Sequence, residues 1–184
     1  GGLSVRAPAR FTHAPAAVLA GGAMLDLASG ALVAMGGRVE PGGTGAVGWF
    51  EVRGPYPMGP HHVLDIDVTG AVPASDLLQT RDGDVTVAGR LLLRVASLDA
   101  LARGLTVLVH GGSGTLSGCY APDQIDVVDA GGLPLDLPVE AVCAGDAVTV
   151  ASRATAGADR PASGAPSLAL RSANPVRRGA PVAI

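Results

Sequence analysis

Lysine is absent from this 184-residue chain, and thirteen arginines supply its fixed positive charge. A Schiff base to a carbonyl substrate or pyridoxal cofactor needs a lysine amine, and a Walker-type phosphate loop needs GK[ST]. Neither chemistry is available here. Arginine keeps its charge and its planar fork of donors, so the positive groups suit fixed carboxylate pairing better than proton transfer. Aromatic residues are nearly as scarce, at 3% against 48% apolar residues overall. The core is therefore built from Val, Leu, Ala and Ile, through many small contacts. Clustered positive charge is also missing: the formal charge is −3, and Arg177-Arg178 is the only local pair. That distribution provides neither a nucleic-acid footprint nor a polybasic membrane patch. No stretch approaches the roughly 18 consecutive apolar residues of a membrane span. Two cysteines, Cys119 and Cys143, fit a disulfide or two buried thiols equally well, which leaves the compartment open. The chain opens Gly1-Gly2 without a methionine, as a processed product or an excised domain would.

What the chain has in quantity is punctuation, with 27 glycines and 14 prolines. Many short elements follow from that spacing, and β signals dominate them. Ala23 to Leu27 and Ala31 to Met35 flank Ala28-Ser29-Gly30 and read as a hairpin. Ala46 to Arg53 alternates, with Trp49, Glu51 and Arg53 on one face and Phe50 and Val52 on the other. Further strands are expected at Val63 to Val72, Val85 to Val95, Leu105 to Val109, Ile125 to Val128 and Ala147 to Val150. One short helix is signalled by Ser97 as cap, Asp99 in the first turn and Gly104 as stop. These features predict an all-β fold, an antiparallel β-barrel or sandwich of about ten short strands with one short capping helix. The expected organisation is a β-rich main domain over 1–154, a Gly/Ala/Pro/Ser-rich loop or linker over 155–167, and a C-terminal strand pair over 168–184 packed on the main domain. No sequence repeat is evident.

Four constellations have the residue types for chemistry. On a strand, His61, Asp65 and Asp67 share a face while His62 points with Leu64, Ile66 and Val68. An imidazole beside two carboxylates can act as an oriented general base, whereas alternating acids on a strand are more often its solvated side, with Arg90 and Arg94 as cross-strand partners. His110-Gly111-Gly112-Ser113-Gly114 resembles the HGG-type oxyanion loop of esterases, but Gly111-Gly112-Ser113-Gly114-Thr115 lacks the last glycine of G-x-S-x-G and no long helix follows. Glycines after an apolar strand ordinarily make a turn. Asp82 and Asp84, and Asp123, Asp126 and Asp129, fall short of calcium-loop spacing, so no metal site is assigned. Finally, Trp49, Phe50, Tyr56 and Met58 gather most of the bulky side chains beside a proline-rich loop and the histidine pair. That concentration marks Trp49, Tyr56, Met58, His61 and His62 as binding candidates.

The sequence thus predicts a non-catalytic β-rich binding or assembly module for a small apolar ligand or a protein partner, with homo-oligomerisation as one form of assembly. The alternative is a small β-barrel enzyme, a cyclase, isomerase or hydrolase, doing acid/base chemistry in an apolar cavity with His61, Asp65, Asp67 or His110. Neither reading calls for a cofactor. Convergence of His61 and His110 in one pocket is the observation that separates them.

Overall fold

Between the glycine and proline breaks, short alternations of apolar and polar side chains form strands, and the strands come in threes. The first coil holds β1 (Gly2–Val5), β2 (Arg10–His13) and β3 (Val18–Ala20); the second holds β4 (Met24–Leu27), β5 (Leu32–Met35) and β6 (Arg38–Glu40). The third has β7 (Trp49–Arg53), β8 (Tyr56–Pro57) and β9 (Val63–Val68), and the fourth β10 (Leu77–Arg81), β11 (Val85–Val87) and β12 (Arg90–Val95). After the helix α1 (Leu98–Ala102) comes a fifth coil of β13 (Leu105–Gly111), β14 (Leu116–Gly118) and β15 (Ile125–Asp129). A hairpin of β16 (Val139–Ala144) and β17 (Ala147–Ser152) closes the series. The computed structural model describes residues 2–6, 9–27 and 32–153. The linker expected at 155–167 and the strand pair expected at 168–184 lie outside the described residues.

Every third strand lies beside its counterpart in the next coil, in parallel. The first sheet runs β1-β4-β7-β10-β13, the third β3-β6-β9-β12-β15. The second face is made by β2 with β5 and by β8, β11 and β14, joined through a parallel bridge between Met35 and Met58. The chain therefore winds as a parallel β-helix, a solenoid in which each coil rests chiefly on its neighbours. Its core is the space between the three faces, filled by matched columns. In the first sheet Phe50 stacks on Leu78 and Leu78 on Leu108; in the third, Leu64, Leu91 and Ile125 align, as do Ile66, Leu93 and Val127.

This architecture corrects the antiparallel barrel or sandwich expected from the sequence. The sheets are mostly parallel and do not close on themselves. Inward–outward alternation is the same in a half-buried antiparallel strand and in a β-helix strand, so the pattern located strands without giving their partners. Two elements show the consequence. Met24–Leu27 and Leu32–Met35 are not a hairpin, because they belong to different sheets. The strand expected at Val85 to Val95 is two strands, β11 and β12, divided at Gly89. That residue turns the corner with φ +85°, and a Cβ there would sit 2.2 Å from the His62 carbonyl oxygen. The inward set of Val85, Val87, Leu91, Leu93 and Val95 is nevertheless buried as the alternation requires.

The far end of the stack is finished differently. β17 pairs antiparallel with β13 and β16 antiparallel with β17. α1 buries Ala100 and Leu101 against this end and stops at Gly104, φ +82°. Ser97 occupies the cap position with extended backbone but makes no side-chain cap bond. Cys119, just after β14, is disulfide-bonded to Cys143 on β16 with Cα atoms 5.7 Å apart, so the hairpin is tied to the fifth coil. Closing a loop of this size stabilises a fold by about 3 kcal/mol. No helix among the described residues is long and apolar enough to cross a membrane.

Leu91 and Leu93 sit in the middle of the third-sheet columns, both fully buried. Leu91→Ala or Leu93→Ala is expected to destabilise the protein by about 2–5 kcal/mol through lost burial and an unfilled cavity. Urea titration measures this, and a loss below about half a kcal/mol at both positions would place that face in solvent.

Candidate functional site

The outer face of the first sheet carries the side chains that alternate away from the core. On β7 these are Trp49, Glu51 and Arg53, since Phe50 and Val52 point inward; on β10 they are Leu77, Gln79 and Arg81. The parallel register sets Trp49 opposite Leu77, Glu51 opposite Gln79, and Arg53 opposite Arg81. An apolar row thus gives way along the strands to a carboxylate–amide row and then a guanidinium row. A groove of about 540 Å³ opens over Trp49, Glu51, Leu77, Gln79 and Arg81 of these rows, within the size range of small-ligand sites. Its wall comes from Val47 and Gly48 in the turn before β7 and Pro73 and Ser75 in the turn before β10. Trp49, the only tryptophan of the chain, is 52% exposed there.

The wall is held by carboxylates. Asp76 is buried, and its two oxygens accept hydrogen bonds from the Gly48 N–H at 2.7 Å and the Asp67 N–H at 2.9 Å. Asp67 in turn accepts from the Gly45 N–H at 2.6 Å. The two turns that form the wall are therefore fastened to β9 and to each other. Leu77 N–H adds a bond to the Gly48 carbonyl at 3.0 Å. Burial pushes the Asp76 carboxyl up to about 7; the two N–H bonds oppose this, and the neighbouring charges of Asp67 and Asp65 add to it.

The candidates named from the sequence are distributed as follows. Asp65 is buried on the outer face of the third sheet and lies between two guanidinium groups, with Arg38 Nη1 at 3.1 Å and Arg94 Nε at 3.0 Å. Burial raises its pKa, against the hydrogen bond and charge of Arg94 and the charge of Arg38. The cross-strand pairing expected of Arg94 is present, whereas Arg90 pairs with Asp126 instead. Asp67 borders a pit of about 120 Å³ beside Arg94, below the usual size of a ligand site. His61 is exposed in the turn before β9. His110 is buried on β13, with Nδ1 3.1 Å from the Thr80 hydroxyl. None of the three cavities among the described residues is lined by either histidine. Tyr56, Met58 and His62 are all interior: Tyr56 Oη lies 2.9 Å from His62 Nε2, and the Tyr120 hydroxyl donates to Met58 Sδ at 3.5 Å. Of the five binding candidates, Trp49 and His61 face solvent, and Trp49 alone lines the groove.

The sequence did not mark Glu51, Leu77, Gln79 and Arg81 as groove lining or Asp76 as its support. The alternation in Leu77-Leu78-Gln79-Thr80-Arg81 is a strand signal that would have found three of them; Asp76 carries no local signal, because its role depends on a turn 28 residues away. Among the described residues, no group of three His, Cys, Asp or Glu side chains is placed to hold a metal ion. Comparison with protein-family models, curated proteins and solved structures returns no match.

Two buried groups give opposed pH dependences. His62 is lowered to about 4, by burial first and by His13 second. The unfolded chain then binds a proton more readily than the folded one, so the His62 contribution is full above about pH 6.5 and lost as pH falls towards 4. Asp76 has the reverse sign: its folded value of about 7 exceeds the ordinary 3.8, so its contribution is full below about pH 4 and lost as pH rises through 7. Between pH 4 and 6.5 the two offset each other. Asp76→Asn should therefore steepen the loss of stability from pH 6.5 to 4, by up to about 3 kcal/mol over that interval. The readout is the slope, since an amide keeps only one of the two N–H bonds and lowers the level at every pH. Parallel stability–pH curves for the variant and the wild type would contradict these assignments.

Proposed function

We propose that the chain is a non-catalytic binding module whose ligand occupies the groove on the outer face of the first sheet. The observation that carries this reading is the half-exposed Trp49 on the groove floor, in a chain with one tryptophan and few other aromatics. Large exposed aromatic surface is costly to leave in water, and interfaces concentrate it at binding sites. Covering half of an indole, on the order of 100 Å², is worth about 2–3 kcal/mol. The carboxylates named for the acid/base alternative have other partners, Asp65 two arginines and Asp67 a backbone N–H group, and Glu51 in the groove is paired with Arg53 and Arg81. A carboxylate placed to hold a turn favours the binding reading over the catalytic one.

Trp49→Ala tests this. Its side chain is exposed and outside the core, so stability should change by no more than about half a kcal/mol. Native mass spectrometry of the full chain from its natural source should show a retained molecule on the wild type and none on the variant. Equal retention by both chains, or none by the wild type, would contradict the reading.

A further inference from the structure

We infer that the ligand of this groove is an uncharged oligosaccharide of pyranose rings, an inference that rests on the groove being the binding site. The charge pattern is the first ground. Glu51 pairs with Arg53 at 2.9 Å and with Arg81 at 3.5 Å, and Asp26 lies opposite Arg53 on β4. The groove's own charges, Glu51 and Arg81, are thus paired with each other, and it offers no surplus of either sign to a charged ligand.

Its hydrogen-bonding capacity, in contrast, is unspent. Both arginine–glutamate pairs use Nε and the same Glu51 oxygen, Oε1. Among the described residues that line the groove, the second Glu51 oxygen, the terminal nitrogens of Arg81, the Gln79 amide and the Ser75 hydroxyl have no hydrogen-bond partner. They comprise planar acceptors, planar donors and groups that do both. A ligand that satisfies such a set must itself donate and accept at closely spaced points without carrying charge, as vicinal hydroxyls do.

The third ground is shape. A pyranose ring has an apolar C–H face and a hydroxyl edge, and the floor repeats that division, with Trp49 and Leu77 in one row and the polar groups in the next two. From Leu77 to Arg81 the floor extends about 13 Å along β10. A wholly apolar ligand would desolvate Glu51, Gln79 and Arg81 without replacing their bonds to water. An extended peptide would find no sheet edge, since β7 and β10 are paired on both sides, and a proline-rich peptide would meet one aromatic rather than a row.

The full-length chain should be applied to an array of neutral glycans covering gluco-, manno-, galacto-, xylo- and N-acetylhexosamine chains. Oligogalacturonate serves as the charged comparison. At least one neutral class should bind and should shift the emission of Trp49 to shorter wavelength in a saturable titration with the corresponding hexasaccharide. By calorimetry, Gln79→Ala should weaken that binding at least ten-fold, and Trp49→Phe should weaken it less than Trp49→Ala. Binding to no neutral glycan, or tighter binding of oligogalacturonate, overturns the inference. If Trp49→Ala abolishes retention of the natural ligand while no neutral glycan binds, the saccharide assignment falls and the groove stands. If retention survives Trp49→Ala, both fall.

Discussion

In-register parallel stacking of the coils is the constraint from which the remaining structure follows. A side chain that points inward in one coil rests on the inward side chain of the next, as Leu64 does on Leu91 and Phe50 on Leu78. A core of Val and Leu in columns needs no large aromatic anchor, which is how a chain with so few aromatics fills its interior. The same constraint aligns the outward residues. Trp49 with Leu77, Glu51 with Gln79 and Arg53 with Arg81 become rows because their inward neighbours are columns.

Corners are where a solenoid admits variation, because a turn can lengthen without disturbing the ladder. Here the third-to-first-sheet corner is long before β7 and before β10, and those two turns make the groove wall. Long turns are held in place only if their backbone groups find partners. Asp67 and Asp76 supply them, and Asp76 contacts both the wall at Gly48 and the strand at Asp67. Asp67 and Asp76 therefore hold the groove wall in place. Interior polar groups play a different part. Gly37 shows how closely they fit, since a Cβ at that position would lie 2.5 Å from the buried His13 imidazole.

The strands themselves were legible in the sequence where alternation was strong. Phe50 and Val52 against Trp49 and Glu51, and Leu91, Leu93 and Val95, fall on the faces their pattern assigns. Partners were not legible, because strands that pair in parallel lie a full coil apart and the coils share no sequence repeat. Of the groove's lining, one residue was singled out by the sequence. Scarcity singled out Trp49, but the same reasoning drew in Tyr56, Met58 and His62, whose neighbours in sequence gave no sign that the chain turns inward after Gly54. Glu51 was placed on the outward face, but its pairing with Arg81 on the next coil was not legible.

The register between β7 and β10 is the most direct point at which to test the account, because it creates both the core columns and the groove. Arg53 and Arg81 are exposed and directly opposite, and neighbouring Cα atoms across a sheet lie about 4.8 Å apart. Arg53 and Gln79 are offset by one outward position, about 8 Å, beyond the span of a disulfide. Under mild oxidation Arg53→Cys with Arg81→Cys should form a cross-link, located by peptide mass spectrometry, while Arg53→Cys with Gln79→Cys should not. A cross-link in the offset pair and none in the facing pair would contradict the parallel register, and with it the groove.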